Sequence, residues 1–519
     1  MRRVLYTVVF FSGLSSLAVE FSASRLLGNF FGTSNLVWAS IIGLILIYLT
    51  LGYFLGGVWS DRSPRIKTLL TILAWAAFLI GLIPLISRPI LKFASQAFEQ
   101  LNFGVLAGSF VAVMILFSIP VTLLGTASPF AIRLAIEDTK DAGKTSGKIY
   151  AISTLGSFIG TFLPVLILIP TIGTYRTLLA ISGLLLLVVL VSLWKCVSAR
   201  SALVYLWMPI VILVLAILGV KGTDKSTRGL IHETDSAYNY IQVQEIEGYR
   251  YLRLNEGQGI HSIWHASELF YAGPWEEVLV GPFFNNHPYD PSNITEIAII
   301  GLAAGTTARQ ASVAFPGVQI DGFEIDPQII SIGKRYFGMD LPNLNAIAQD
   351  GRLGLQESKK EYQLISVDAY RPPYIPPHLT TQEFFRVVRE HLTDDGVMVI
   401  NVGRAPEDRR LVNALYNTIA TEFPSIYIMD LPQSFNTLIY ATVQETKSSN
   451  LSANFDELLH KTDTPLILLQ SIQVALNNLQ PLPEKNDNLI FTDDLAPVEG
   501  MTNGMILKFL FSKQMEELQ

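Results

Sequence analysis

The stretch Glu296-Ile-Ala-Ile-Ile-Gly301-Leu-Ala-Ala-Gly305-Thr-Thr307 decides the fold of the C-terminal half of this chain. Its apolar run is too short for a helix and ends at Gly301, and a second glycine follows at position 305. A helix-compatible segment then opens at Thr306 or Thr307, either of which is a suitable N-cap residue. We interpret the stretch as a buried parallel strand that turns sharply into a helix, the first unit of a doubly wound sheet.

Gly301 and Gly305 mark the floor of a ligand site, because ligands of such sheets lie outside the carboxyl ends of the strands. Their spacing is not G-x-G-x-x-G, which argues against a dinucleotide bound through its pyrophosphate. A nucleoside without phosphates, such as a derivative of adenosylmethionine, needs only a close approach of the backbone. On this stretch alone, a purely structural glycine turn explains the pattern equally well.

Six further short apolar segments have the length and the turn residues typical of strands. They are Val318–Glu324, Leu344–Ala348, Tyr362–Val367, Val397–Asn401, Ser425–Met429 and Thr437–Val443. Three of them end at or just before a carboxylate: Glu324, Asp350 (followed by Gly351) and Asp368. Each acid alone is more typical of a helix cap or a turn. Three of them after successive strands favour one shared crevice.

With these motifs in place, residues Glu233 to Phe435 resemble the spermidine synthases, or polyamine aminopropyltransferases, and are most similar to members fused to a membrane domain. The resemblance implies a class I methyltransferase-like Rossmann fold with a small N-terminal β-hairpin segment. It also implies a cosubstrate, decarboxylated S-adenosylmethionine or S-adenosylmethionine, and a small-molecule amine acceptor. The expected reaction is alkyl transfer from a sulfonium to an amine, without a metal. The resemblance also leaves open whether the protein forms a homodimer.

The resemblance also implies roles for individual residues. Glu324 matches the acid that binds the ribose, Asp350-Gly351 the pair that reads the adenine, and Asp368 the catalytic aspartate. Tyr370 would orient the nucleophile. Asn239 falls near a glutamine that contacts the nucleoside. The glycine turn with Gly301, Ala304 and Gly305 would complete the nucleoside site.

Two positions depart from the family pattern. Ala304 replaces an aspartate that holds the amine of the decarboxylated donor, and Arg371 replaces an acid that binds the polyamine. Losing acids and gaining a guanidinium weakens the attraction for a cationic amine. We therefore expect an acceptor preference shifted away from a simple diamine. The alternative is that Arg371 points into solvent or pairs with an acid such as Glu383.

The loop Ala369-Tyr-Arg-Pro-Pro-Tyr-Ile-Pro-Pro377 contains four prolines, among them Pro376, which we place at the substrate. A stiff loop beside Asp368 suits a gate over the site. Thr380-Thr-Gln-Glu383 is a capping box that predicts the start of the next helix. Phe491-Thr-Asp-Asp494-Leu-Ala-Pro-Val-Glu499 looks like a tail motif of the fused proteins, although a capped acidic loop is at least as good an interpretation.

The N-terminal part has a different composition. The chain of 519 residues is 50% hydrophobic and 16% charged, which is too apolar for an ordinary soluble enzyme. Apolar runs near the length of a spanning helix all precede Lys221: Val4–Leu27, Leu36–Trp59, Leu69–Ile86, Gly104–Thr126, Ile149–Ile169, Leu178–Trp194 and Ala202–Val220. We predict an α-helical transmembrane bundle of about seven helices, and hence a multi-pass protein of the cell membrane that contacts the lipid bilayer.

The change in composition after Lys221 predicts three parts. They are a transmembrane domain over 1–222, a β-rich segment over 223–292 and a Rossmann-like nucleoside-binding domain over 293–519. Tyr238–Glu245 and Tyr249–Asn255 alternate with period two around Glu247-Gly248, which is typical of a hairpin. Gly52-Tyr-Phe-Leu-Gly56 and Gly156-Ser-Phe-Ile-Gly160 are small-xxx-small pairs, which let helices approach closely.

The orientation in a membrane is ambiguous. With seven spans, the basic residues on the side of the N-terminus are Arg2, Arg3, Arg62, Arg65, Lys67, Arg133, Lys140, Lys144, Lys148, Lys195 and Arg200, and those on the other side are Arg25, Arg88, Lys92, Arg176, Lys221, Lys225 and Arg228. The positive-inside rule then exports the C-terminal domain. Adenosyl cosubstrates are cytoplasmic, so we expect that domain in the cytoplasm. The difference in charge between the two sides is modest, and one miscounted span would cancel it.

Other function classes receive little support. The net charge is −7 and no basic patch interleaves with aromatic residues, so we expect no nucleic-acid partner. The single cysteine, Cys196, excludes an internal disulfide and a cysteine-based metal cluster. Three functions stay open: an aminopropyltransferase-like enzyme, an adenosylmethionine-dependent transferase with another acceptor, and a non-catalytic nucleoside sensor coupled to the membrane helices.

Overall fold

The computed structural model describes residues 2–31, 35–99, 104–136, 138, 141–219, 227–255, 259–370, 374–484 and 489–511. The chain forms two compact units. The first comprises Met1–Thr227 with Glu233–Tyr240, and the second comprises Arg228–His232 with Ile241–Gln519. The finer division into 1–222, 223–292 and 293–519 stays a prediction.

The first unit is helical. Its helices are α1 (Arg2–Phe31), α2 (Asn35–Arg62), α3 (Ile66–Glu99), α4 (Gly104–Gly125), α5 (Ala127–Ala135), α6 (Ala142–Leu163), α7 (Ile169–Ile172), α8 (Thr174–Cys196), α9 (Ala199–Leu203) and α10 (Trp207–Gly219), with a π-helical turn at Pro164–Leu168. Among the described residues, six segments are long and apolar enough to cross a membrane: Arg2–Phe31, Val37–Arg62, Ile66–Leu91, Gly108–Ala135, Ala142–Ile172 and Thr174–Cys196.

The seventh predicted span, Ala202–Val220, is not among these six segments of the described residues. Residues 204–206 form a turn within the predicted run Ala202–Val220, and the helix that follows, α10, has 13 residues. The run is apolar throughout, so hydropathy alone does not reveal the break.

Glycines allow the helices of the first unit to pack closely. A Cβ atom at Gly156 would lie 2.0 Å from the carbonyl oxygen of Phe10, and one at Gly160 would lie 2.1 Å from that of Leu14. A Cβ at Gly52 would lie 2.3 Å from the carbonyl oxygen of Thr122. These clashes confirm the predicted close approach at both small-xxx-small pairs.

The strands in the described part of the chain form two sheets. They are β1 (Leu230–Asp235), β2 (Tyr240–Ile246), β3 (Tyr249–Leu254), β4 (Ser262–Trp264), β5 (Glu296–Ile300), β6 (Gln319–Glu324), β7 (Leu344–Ala348), β8 (Tyr362–Val367), β9 (Leu392–Gly403), β10 (Ser425–Asp430), β11 (Asn436–Thr442) and β12 (Leu479–Gln480). The small sheet has the order β1-β2-β3-β4. Strands β2 and β3 form the predicted hairpin, with Glu247 and Gly248 at positive φ in its turn.

The large sheet has the order β12-β10-β11-β9-β8-β5-β6-β7. Strands β5 to β9 pair in parallel, whereas β11 runs antiparallel between β9 and β10. The order reverses at β5, where the chain passes to β6 and β7 on one side and to β8 and β9 on the other. This topology is the methyltransferase-like Rossmann fold, as predicted, and it places the switch point at the carboxyl end of β5.

Helices cover both faces of this sheet. They are α11 (Pro274–Glu277), α12 (Thr306–Ala314), α13 (Pro327–Tyr336), α14 (Gly351–Glu357), α15 (Gln382–Glu390), α16 (Arg410–Ile419), α17 (Ser449–His460), α18 (Leu466–Asn478) and α19 (Val498–Phe511), with 3₁₀ turns at Val278–Phe284, Pro291–Asn293 and Pro377–Leu379. Ile297 and Ile299 of β5 pack into one apolar cluster, and Ala298 and Ile300 pack into another. A strand buried on both faces explains the unbroken apolar run before Gly301.

Candidate active site

The turn after β5 lies between the ends of β6 and β8. The backbone N–H groups of Gly301 and Leu302 donate to the carbonyl oxygen of Phe323 at 2.9 and 3.0 Å, and Asp368 N–H donates to Ile300 O at 2.9 Å. Gly301 has φ +88°, and a Cβ there would lie 2.4 Å from the carbonyl oxygen of Asp368. Only glycine lets the two loops approach this closely.

Glu324, the last residue of β6, is buried at this edge of the sheet. Its Oε2 accepts a hydrogen bond from Ala303 N–H at 2.9 Å, and its Oε1 accepts one from Asp326 N–H at 3.1 Å. Burial raises the pKa of Glu324 to about 7, although both backbone hydrogen bonds act in the opposite direction. Each oxygen keeps a second lone pair, so the carboxylate can also accept hydroxyl groups of a ligand.

Asp368 follows β8 directly and is half-buried. The amide nitrogen of Asn401 donates to its Oδ1 at 2.9 Å. Burial raises the pKa of Asp368 to about 6, and the hydrogen bond from Asn401 limits that rise. The Oδ1 atom of Asn401 is buried without a hydrogen-bond partner among the described residues. Two oxygen acceptors therefore lie next to each other at the carboxyl ends of β8 and β9.

Tyr370 is fixed beside Asp368. Its hydroxyl donates to the carbonyl oxygen of Asn401 at 3.1 Å and accepts from Gly403 N–H at 2.6 Å. Burial, and then the charge of Asp368, raise the pKa of Tyr370, so its hydroxyl is neutral at pH 7. Because its one proton is donated to the backbone, Tyr370 fixes the start of the loop. Its predicted part in orienting a nucleophile stays a prediction.

Asp350 caps α14. Its Oδ1 accepts from the backbone N–H groups of Arg352 and Leu353 at 3.0 and 3.1 Å, and the Nε2 atom of His378 lies 2.9 Å from its Oδ2. The hydrogen bond from His378 is the main reason that the pKa of Asp350 is lowered. Gly351 fits tightly, because a Cβ there would lie 2.3 Å from Ile300 Cγ2. The cap explains why an acid stands at Asp350, and a role toward adenine stays a prediction.

Strand β4 covers the glycine turn. The hydroxyl of Ser262 accepts from Ala304 N–H at 2.9 Å, and the hydroxyl of Thr306 bonds both the N–H and the carbonyl oxygen of Ile263 at 2.9 Å. Neither Thr306 nor Thr307 is the N-cap residue of α12 that the sequence predicts; Gly305, at φ +83°, takes that position. Ala304 is buried in an apolar cluster with residues such as Leu252 and Ile332.

The described part of the structure does not bring three other predicted site residues into this cluster. Arg371 lies outside the described residues, and its predicted alternative partner, Glu383, accepts a hydrogen bond from Asp493 N–H at 3.0 Å. Pro376 precedes the 3₁₀ turn at Pro377–Leu379, and its carbonyl oxygen accepts from Leu379 N–H at 2.9 Å. Asn239 belongs to the first compact unit, so its expected contact with the nucleoside stays a prediction.

Comparisons with known proteins give the family. Residues 276–454 match the spermine/spermidine synthase domain. A probable polyamine aminopropyl transferase of Bifidobacterium longum (strain NCC 2705) is 30% identical over 283 residues, 52% of this chain and 61% of that protein. The polyamine aminopropyltransferase of Vibrio vulnificus (strain CMCP6) is 30% identical over 220 residues, 39% of this chain and 68% of that protein. The chain belongs to the polyamine aminopropyltransferase family.

The similarity covers only part of this chain and part of each relative. The chain spans 61% of the length of the Bifidobacterium longum protein. The crystal structure of a spermidine synthase from Thermotoga maritima covers 50% of this chain and 82% of its own, at 19% identity and a TM-score of 0.37. The matched domain includes Glu324, Asp350 and Asp368, which the fold brings to one edge of the sheet.

The sequence did not reveal the residues that hold Asp368, Asp350 and the neighbouring Arg352. Asn401, His378 and Asp493 contact Asp368, Asp350 and Arg352, respectively, across 33, 28 and 141 positions of the chain. No local pattern connects residues so far apart. The strand end at Asn401 was a usable signal, because polar groups that follow β8 and the neighbouring β9 must meet at the same edge.

Proposed function

We propose that this protein is a membrane-anchored, spermidine-synthase-like aminopropyltransferase. The observation that carries the proposal is Asp368, an ionisable group of pKa about 6 that is half-buried where β5 and β8 meet and is held by Asn401. A carboxylate with that pKa is ionised at pH 7 and still basic enough to take a proton. Membership in the aminopropyltransferase family supports this reaction class.

The nucleoside of the donor would lie across the ends of β6 and β7. Glu324 would accept the ribose hydroxyls, and Asp350 and Gly351 at the start of α14 would face the adenine. Ile325 and Leu353, which follow these acids, are 43% and 47% exposed although both are apolar. Two exposed aliphatic side chains beside two carboxylates suit a ligand with a flat apolar base and a polar sugar.

The proposed chemistry is a substitution at carbon. The lone pair of the acceptor nitrogen attacks the carbon bonded to the sulfonium, the carbon–sulfur bond breaks, and its electron pair stays on sulfur. Methylthioadenosine leaves as a neutral thioether, and the positive charge passes to nitrogen. Asp368 takes the proton from the amine, and Asn401 Oδ1 offers a second acceptor for an ammonium proton.

A second function is favoured by one observation on the donor side. Ala304 is buried in an apolar cluster, so no carboxylate stands at the position that in the resembled family holds the donor's amine. The alternative is therefore a transferase that uses S-adenosylmethionine, which keeps its carboxylate, and an acceptor other than a polyamine. In a third interpretation the domain only senses a nucleoside.

We place the first unit in a membrane. Phe54, Ile119, Leu166 and Leu213 are each more than 60% exposed. So much exposed apolar surface requires lipid or a partner to cover it. With six spans instead of seven, Lys221, Lys225 and Arg228 join the side of the N-terminus. The positive-inside rule and a cytoplasmic C-terminal domain then agree.

The test is release of methylthioadenosine by the full chain in detergent or vesicles. Decarboxylated S-adenosylmethionine with an amine should give release, and S-adenosylmethionine should give less. Efficient conversion of putrescine would refute the shifted acceptor preference. Arg371→Asp, alone and with Ala304→Asp, should raise putrescine turnover if Arg371 lines the pocket. Binding of methylthioadenosine without turnover of any donor and amine would favour the sensor.

A further inference from the structure

The tail motif noted in the sequence forms part of a larger element. We call residues 489–511 the C-terminal tail; it includes Phe491, Asp493 and α19. Phe491 is buried, its N–H donates to Thr418 Oγ1 at 3.0 Å, and its carbonyl oxygen accepts from Gln382 N–H at 2.8 Å. The tail is therefore fixed to α16 and to the start of α15.

Asp493 connects the C-terminal tail to Arg352, Thr381 and Glu383. Its two carboxylate oxygens accept from Arg352 Nη1 and Nη2, each at 2.7 Å, and Oδ1 also accepts from Thr381 Oγ1 at 2.7 Å. Its own N–H donates to Glu383 Oε2 at 3.0 Å. Hydrogen bonds to Arg352 and Thr381 lower the pKa of Asp493 to about 2, with the Arg352 contribution larger. A paired, two-point guanidinium contact is the strong form of ion pair.

From Asp493 a chain of contacts leads to the candidate nucleoside site. Arg352 Nη1 also donates to the carbonyl oxygen of His378 at 3.0 Å, and His378 Nε2 lies 2.9 Å from Asp350 Oδ2. Arg352 and Asp350 both belong to the start of α14. The tail thus holds the backbone at residue 378 and, through it, the imidazole that faces Asp350.

The tail makes a second contact at Tyr374, in the same loop as His378 and Thr381. Tyr374 Oη donates to Asn503 Oδ1 of α19 at 2.6 Å. We call residues 374–381 the acceptor-side segment, since they follow Asp368 and Tyr370 in the loop after β8. Tyr374, Ile375 and Leu379 of this segment are buried. Contacts with the tail and with α14 therefore restrain both ends of the segment.

We propose that the C-terminal tail is a positioning element of the active site, in which Asp493 and Asn503 hold the acceptor-side segment in place. The catalytic part of this inference rests on the proposed transferase function. The physical reason is that an eight-residue loop loses conformational entropy when it is ordered, and the bonds from the tail offset that loss. Asp493 is a positioning residue, which acts through Arg352 and Thr381.

The test replaces Asp493 in the full-length protein and measures amide hydrogen exchange. Asp493→Asn should accelerate exchange in residues 374–381 by about tenfold or more, because the charged contact is lost while the shape is kept. If the enzyme turns over an amine, the KM for that amine should rise about tenfold, with kcat changed by less than about twofold. Asp493→Glu should restore much of the slow exchange and much of the lower KM. Tyr374→Phe should accelerate exchange in the same segment from the other anchor.

The matched control is Asp290→Asn. Asp290 is also half-exposed and also paired, with Lys461 at 2.8 Å, but it lies before a 3₁₀ turn away from the tail. It should change neither exchange in residues 374–381 nor the KM. Unchanged exchange in that segment with Asp493→Asn and with Tyr374→Phe would overturn the proposal. If no amine is turned over by the unaltered protein, the proposed function fails, and the exchange data still decide the role of the tail.

Discussion

The proposed contact of Glu324 with the ribose would link ligand binding to pH. Its pKa is about 7 in the free protein, because burial disfavours the charge, so near pH 7 about half of the molecules carry it as the neutral acid. A ribose diol donates hydrogen bonds and therefore prefers the carboxylate. Binding must then remove a proton below pH 7, and the affinity for methylthioadenosine should fall about tenfold from pH 8 to pH 6.

Calorimetric titration at both pH values checks this expectation. Glu324→Gln keeps the size of the side chain and cannot ionise, so its affinity should be tens of fold weaker at pH 8 and nearly independent of pH. The same pH dependence in Glu324→Gln would mean that another group, not Glu324, meets the ligand.

For single residues, the sequence predicts where the acidic site residues lie better than it predicts which residues contact them. Glu324 and Asp368 could be placed because the first ends, and the second directly follows, a recognisable strand of a sheet whose ligands lie at that edge. The partner of Asp368, Asn401, is held by pairing between β8 and β9 and leaves no local signature. The pKa values of Glu324 and Asp368 depend on their burial and on their hydrogen-bond partners, so only the structure gives them.

Among the secondary-structure elements, the turn after β5 carries the strictest requirement. Gly301→Ala should lower the free energy of unfolding by about 1–2 kcal/mol from backbone strain at φ +88°. Overlap with the backbone of Asp368 at 2.4 Å should add about 1–3 kcal/mol. Chemical denaturation of the full chain, followed by the fluorescence of its tryptophans, measures the sum.

Gly317 provides a matched control for that measurement. It has φ +83° and no atom within 4 Å of an added Cβ, so Gly317→Ala should show the strain alone. Equal losses at both positions would mean that the contact between Gly301 and Asp368 is looser than described.

The element boundaries show where sequence patterns fail. Strands β7 and β8 match their predicted bounds, since apolar runs and flanking turn residues agree there. The predicted capping box at Thr380 is shifted by one residue: Thr381 caps α15, and Glu383 turns to Asp493 N–H instead. A tertiary contact from the tail therefore replaces the local partner that the pattern implies.

For the whole molecule, the number of spans decides which side of the membrane holds the chemistry. Six crossing segments would place the N-terminus and the C-terminal domain on the same side. Reporters that are active on one side only, fused before Met1 and after Gln519 in separate chains, should both report the cytoplasm. An external signal from the C-terminal fusion would contradict the proposed use of a cytoplasmic adenosyl donor.

The decisive measurement is methylthioadenosine release by the purified full chain, compared with Asp368→Asn. The unaltered protein should release it from decarboxylated S-adenosylmethionine in the presence of an amine, with an acidic limb near pH 6 set by Asp368. Asp368→Asn should lower turnover by about a hundredfold or more, because the base is lost, while the affinity for methylthioadenosine stays similar. Turnover that survives Asp368→Asn would contradict the assignment of Asp368 as the base.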